Sequence, residues 1–69
     1  MAKLISNLKK YRLLNNLTQE ELAEKVKVRR ETIIHLEAGR YNPSLKLALN
    51  LAKVLNVKVE DLFSFEEED

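Results

Sequence analysis

Residues 17–44 constrain this 69-residue chain most, because two short helical patterns sit there back to back, each with its own start and stop signals. Thr18-Gln19-Glu20-Glu21 has the form of a capping box. The Thr18 hydroxyl can accept from the Glu21 amide, and the Glu21 carboxylate can reach back to Thr18. Leu22, Ala23 and Val26 mark the inward face of a helix ending near Lys25–Val26, and Lys27 and Val28 form a turn. A second helix is expected from about Arg30 to Ala38, with Val28, Ile33 and Leu36 turned inward. Gly39, the sole glycine, stands where a residue in the left-handed region closes a helix. Asn42-Pro43 stops any continuation.

The flanking segments follow the same logic. Ser44 caps a helix over Leu45–Leu55, whose Leu45, Ala48, Leu49, Leu51, Ala52 and Leu55 make it apolar nearly all round, the pattern of a buried helix. Upstream, Ser6 or Asn7 can cap a helix running to about Asn15, with Leu4, Leu8, Tyr11 and Leu14 at helical or near-helical spacing. Lys58 to Phe63 reads as a final short helical turn. Ala2–Ile5 is too short for a stable helix, and Leu62–Phe65 alternates with β-favouring aromatics. These two ends can pair as a small two-stranded sheet, which is marginal without packing. The expected fold is therefore all-α with five helices and that sheet as an addition. It forms a single domain over residues 1–69, since so short a chain leaves no room for a second core.

Composition removes whole classes of function. With no cysteine, disulfides and thiolate metal sites are absent. His35 is the only histidine and has no ligand partners at metal spacing, so no metal is expected. No Ser/His/Asp set, paired-carboxylate cleft or phosphate loop is present, so neither catalysis nor a cofactor is expected. No apolar run approaches the ~18 residues of a membrane span, and the opening residues lack the apolar stretch of a signal peptide. The expected location is the cytoplasm. Charge is uneven: residues 1–46 carry ten Lys/Arg against five acids, and residues 47–69 carry two against six, with an acidic tail at 66–69. Such a split suits one face for a polyanion and another turned away from it. On charge alone, a solvated surface with an acidic terminus fits as well.

Two short helices joined by a tight turn, the second facing outward, make a helix-turn-helix at about residues 18–38. The stretch L-T-Q-E-E-L-A-E-K-V-K-V-R-R-E-T-I-I-H-L-E-A-G-R-Y-N-P-S-L resembles the Xre family, which includes the phage Cro and CI repressors. The T-Q-E-E-L-A opening, the inward V–I–L triplet, L-E-x-G and P-S-L all fall at family spacing, and the resemblance covers about residues 6–63. It is similar above all to the short stand-alone bacterial and archaeal members, the cytolysin-operon repressor among them. The resemblance implies a five-helix Cro/CI-like domain that binds double-stranded DNA and regulates transcription, with repression the favoured reading.

On a 100° wheel Ile33, Leu36 and Glu37 share one arc of the second helix, while Glu31, Ile34 and His35 occupy the opposite arc and Arg30 and Thr32 flank it. That outward arc suits a major groove. Arg30 can give a bidentate bond to guanine, Glu31 can accept from cytosine, and Ile34 can meet a thymine methyl. By resemblance, Arg30, Glu31 and His35 fall on base-reading positions and Gln19 on a phosphate-contact position. Arg29, Arg40, Tyr41 and Asn42 flank the groove as phosphate clamps. An exposed Ile34 amid charges is odd for a merely solvated face. The family places a buried ion pair where this chain has Arg12 and Glu37. Tyr11, Phe63 and Phe65 are read as packing residues.

Two positions depart from the family pattern. Lys27 stands where glycine is frequent, and a positive φ there costs a side chain about 1 kcal/mol, so an adjusted turn is expected. Arg29 stands where Ser or Thr caps the second helix, forgoing a cap worth about 1 kcal/mol while adding a cation. A two-fold dimer on a near-palindromic operator is expected, because one unit touches too few base pairs to select one genomic site. Leu55, Val57, Val59, Leu62 and Phe63 look like a surplus of apolar residues for its interface. No effector domain is visible, so no small-molecule ligand is expected. Two other readings use the same domain. One is the antitoxin of a toxin–antitoxin pair, for which the acidic tail is short; the other is a protein adaptor, against which the basic arc argues.

Overall fold

The computed structural model describes residues 2–40 and 42–67. The elements, in order, are β1 (Ala2–Ser6), α1 (Leu8–Leu14), α2 (Gln19–Val26), α3 (Arg30–Glu37), α4 (Leu45–Leu55), α5 (Val59–Leu62) and β2 (Phe63–Glu67). Five helices are as expected, but "all-α" is corrected: the two ends form an antiparallel sheet with Ala2 opposite Glu67 and Ser6 opposite Phe63. The packing that a bare strand pair lacks comes from the helices. Leu4 packs against the core, Phe63 is buried in it, and the Asn7 N–H donates to the Leu62 carbonyl at 2.8 Å. Glu66 and Glu67, read from sequence as tail, are strand residues; Glu66 faces Lys3, an opposite-charge cross-strand pair. Glu68 and Asp69 lie outside the described residues.

Leu8, Leu22, Ile33, Leu36, Leu51 and Leu62 are fully buried and come from five different helices. Each short helix thus contributes one or two anchors, which is how helices of seven or eight residues hold at all. Several expectations fail on where the core ends. The α4 helix is amphipathic, not buried all round: Ala48, Leu51, Ala52 and Leu55 face inward, whereas Leu45 is 73% and Leu49 53% exposed. Leu14 is exposed too. Conversely, Leu55, Leu62 and Phe63 are no surplus; they close the chain's own core, and only Val57 and Val59 of that set keep exposed surface.

The helix ends show why the elements stop where they do. At α2 the capping box is complete: Thr18 Oγ1 accepts from the Glu21 amide at 3.0 Å, and Glu21 Oε1 accepts from the Thr18 amide at 2.9 Å. Ser44 Oγ accepts from Leu47 at the start of α4. Asn7 stands at the α1 cap without a side-chain bond, and Ser6 Oγ accepts from the Leu8 amide at 3.4 Å. Asn16, Lys27, Gly39 and Asn56 all have positive φ and turn the chain. At Gly39 (φ 70) a Cβ would also lie 3.1 Å from the Leu4 carbonyl of β1.

Gly39→Ala is therefore expected to cost about 1–2 kcal/mol from the left-handed backbone alone, a fall in melting temperature of about 4–8 °C per kcal/mol that thermal denaturation by circular dichroism reads directly. Hydrogen bonds from the Thr18 backbone and side chain hold Glu21 below its ordinary carboxylate pKa. A depressed folded-state pKa gives stability that is present above the unfolded value and lost as pH falls through the folded one. Glu21→Gln keeps an acceptor but cannot titrate. Its melting temperature is expected to fall less steeply than wild type below about pH 5.

Candidate nucleic-acid interface

The site is built around α3, and its back is held by an ion pair. Arg12 Nε donates to Glu37 Oε2 at 2.6 Å, with both side chains under one-tenth exposed. Arg12 Nη2 reaches Glu37 Oε1 at 3.4 Å, and Nη1 donates to the Leu17 carbonyl at 2.9 Å. Gln19 Nε2 donates to Glu37 Oε1 at 3.1 Å. Among the described residues no buried side-chain polar atom is left without a partner. These bonds tie α1, the loop after it, the start of α2 and the end of α3 into one unit.

The other side of α3 faces solvent. Arg30 and Glu31 are exposed, and Ile34 and His35 are half-buried; Ile34 is thus less exposed than the sequence suggested. Arg29, at the α3 cap, makes no side-chain cap bond and projects a further cation. Arg40 Nη1 lies 3.2 Å from His35 Nδ1, within hydrogen-bond distance. Arg40 thereby sits against α3, although it follows the helix in sequence. Asn42 is exposed, and Tyr41 lies outside the described residues.

Gln19 occupies the first position of α2, where backbone N–H groups have no intrahelical partner. It borders an open cleft of about 640 Å³ with Arg12, Asn16, Leu17 and Arg30. Its side-chain amide is already engaged: Nε2 goes to Glu37, and Oε1 lies 3.5 Å from Arg30 Nη2. No local sequence pattern hints at this bridge, because Gln19 and Glu37 are 18 residues apart and neither lies on the other's helix. The Lys27 turn is not adjusted. Lys27 adopts φ 59, ψ 48 and closes α2 through bonds to the Ala23 and Glu24 carbonyls.

A capped α2, a left-handed turn and an α3 with a buried back and a basic, solvent-facing front define a helix-turn-helix protein. The Helix-turn-helix family model matches residues 8–62, and the chain belongs to this Xre-type family of DNA-binding transcriptional regulators. It is 58% identical over 64 residues to an uncharacterized HTH-type transcriptional regulator of Archaeoglobus fulgidus, covering 93% of this chain and 90% of that one. It is 39% identical over 61 residues to control protein C.SmaI of Serratia marcescens, covering 88% of this chain and 73% of that one. Among solved structures, the restriction-modification controller protein C.AhdI of Aeromonas hydrophila aligns with a TM-score of 0.73 at 34% identity, over 81% of this chain and 85% of that one. No helix among the described residues is long and apolar enough to cross a membrane.

Removing Glu37 would leave the Arg12 guanidinium buried and uncompensated. Glu37→Ala is expected to destabilise by about 3–5 kcal/mol, a large share of what holds a domain of this size. A urea midpoint close to wild type would contradict it.

Proposed function

We propose that the protein is a sequence-specific regulator of transcription that binds double-stranded DNA in the cytoplasm and represses as a homodimer on a near-palindromic operator. The observation that carries this reading is the two-sided α3. Its inner side is locked by Arg12, Glu37 and Gln19, so its outer side is presented as a rigid surface. Arg30, Glu31, Ile34 and His35 read base edges. Gln19, Arg29, Arg40, Tyr41 and Asn42 hold the phosphates. For Gln19 the backbone N–H is the contact group, since its side chain is spent on Glu37 and Arg30. Arg40 lies beside His35 at the C-terminal end of the helix, where its charge can meet a phosphate at the edge of the groove.

Dimerisation follows from specificity: the few base pairs one α3 can touch do not single out a site among ~10⁶ or more competitors. Two units related by a two-fold axis place their recognition helices about 34 Å apart, one turn of DNA. Val57 and Val59, both half-buried, are the accessible part of the proposed interface, Leu55, Leu62 and Phe63 supporting it from the core. The relatives named as regulators and control proteins support regulation as the role.

The test begins with selection of bound sequences from a random duplex pool. On a panel of single-base variants of the selected sequence, Arg30→Ala is expected to lose about 1–3 kcal/mol at one base pair and to relax preference there. Arg40→Ala is expected to weaken all sequences alike and to lower the salt slope by about one unit for each protomer bound. Retained discrimination in Arg30→Ala would refute the assignment of α3. Sedimentation at micromolar concentration is expected to show a dimer, and monomer mass throughout would refute dimerisation.

A further inference from the structure

A second basic surface lies outside α3 and its flanking clamps. A groove runs between the C-terminal turn of α2 and the outer side of α4. The section of about 300 Å³ beside the helix-turn-helix turn is bounded by Lys27, Val28, Ser44, Lys46 and Asn50. It continues past Lys27, Lys46 and Asn50 into a section of about 350 Å³ bounded also by Lys25 and Lys53. No Asp or Glu lines either section. All four lysines are exposed. Lys46, Asn50 and Lys53 recur at helical spacing along one stripe of α4, set apart from its buried Ala48, Leu51 and Leu55. Lys25 feels the charge of Glu21, one turn earlier on α2. Lys27, Lys46 and Lys53 make no ion pair among the described residues.

Four like charges along one groove repel one another, and little within the fold offsets this. A polyanion laid in the groove would. The apolar floor formed by Val26, Val28, Leu47 and Val54 can hold the lysine stems while their ammonium groups reach outward. The stretch from Ser44, the cap of α4, to Lys53 is about 13 Å long at 1.5 Å per residue, enough to face more than one phosphate of a strand laid along it. Val28 and Ser44 line the section beside the helix-turn-helix turn. These residues stand just before α3 and just after the loop that leaves it, so a backbone in the groove is continuous with one held at α3.

We propose that this lysine groove takes the phosphate backbone of double-stranded DNA flanking the segment read by α3, lengthening the footprint without adding base contacts. This rests on the DNA-binding reading above, and the test separates the two. Wild type is compared with a variant carrying Lys25→Gln, Lys27→Asn, Lys46→Gln and Lys53→Gln, all at exposed positions; asparagine accepts the left-handed backbone of Lys27. Circular dichroism checks that the variant folds. Binding is measured against salt on a duplex of about 40 base pairs centred on the sequence wild type selects, and on a duplex trimmed to the selected base pairs. On the long duplex the variant's log–log salt slope is expected to be shallower by about 2–4 for each protomer bound, near 0.9 per lost phosphate contact. Its preference for the selected over a scrambled sequence is expected to be unchanged, and on the trimmed duplex the two proteins should share one slope. Equal slopes on the long duplex would overturn the groove alone. An equal loss on both duplexes would place the lysines inside the read segment and overturn the flanking assignment. DNA binding untouched by the four changes, with lost binding to a poly-glutamate peptide, would assign the groove to an acidic protein instead. Wild type that binds no duplex from the pool would overturn the DNA reading itself.

Discussion

The ion pair between Arg12 and Glu37 is the constraint on which the other features depend. The helices it joins, α1 and α3, have seven and eight residues, too short to persist alone in water. Burying two charges is costly, and attraction compensates only when geometry and remaining bonds are good. Here the guanidinium spends its third nitrogen on the Leu17 carbonyl, and the carboxylate takes a further bond from Gln19. The pair therefore also positions the loop after α1 and the first residue of α2. A hydrophobic pair of similar volume could fill the space, but it could not orient a carbonyl and an amide as well.

Backbone strain is concentrated at the connections. Asn16, Lys27, Gly39 and Asn56 are the described residues with positive φ. Asparagine and glycine carry this conformation at little cost, whereas lysine carries about 1 kcal/mol. At Lys27 that cost accompanies a cation lining the α2–α4 groove. Arg29 follows the same pattern, since a capping hydroxyl is replaced by a charge at the start of α3. Both departures exchange local stability for a positive charge in the turn between α2 and α3.

Much of the architecture could be read locally. Thr18 and Glu21 announce α2, Ser44 announces α4, and Gly39 with Asn42-Pro43 closes α3, because caps and left-handed closures depend on a few adjacent residues. The inward Leu22, Ala23, Val26, Ile33 and Leu36 followed from helical periodicity for the same reason. Arg12 and Glu37 were legible only through a family resemblance, since no periodicity links residues 25 apart.

The sequence by itself thus determined the helices, their caps and the chemistry of the outward face, all set within a few turns of chain. Tertiary structure alone decided which apolar residues the core consumes. Leu55, Leu62 and Phe63 went inside and Leu45 and Leu49 stayed out, because burial depends on which helices meet and not on how apolar each one is. It decided that Glu66 and Glu67 form a strand, since β1 lies some sixty residues away and offers the pairing edge. It turned the Gln19 amide inward to Glu37. It also gathered Lys25 and Lys27 of one segment with Lys46 and Lys53 of another, because charges far apart in sequence share a groove only when two helices pack side by side.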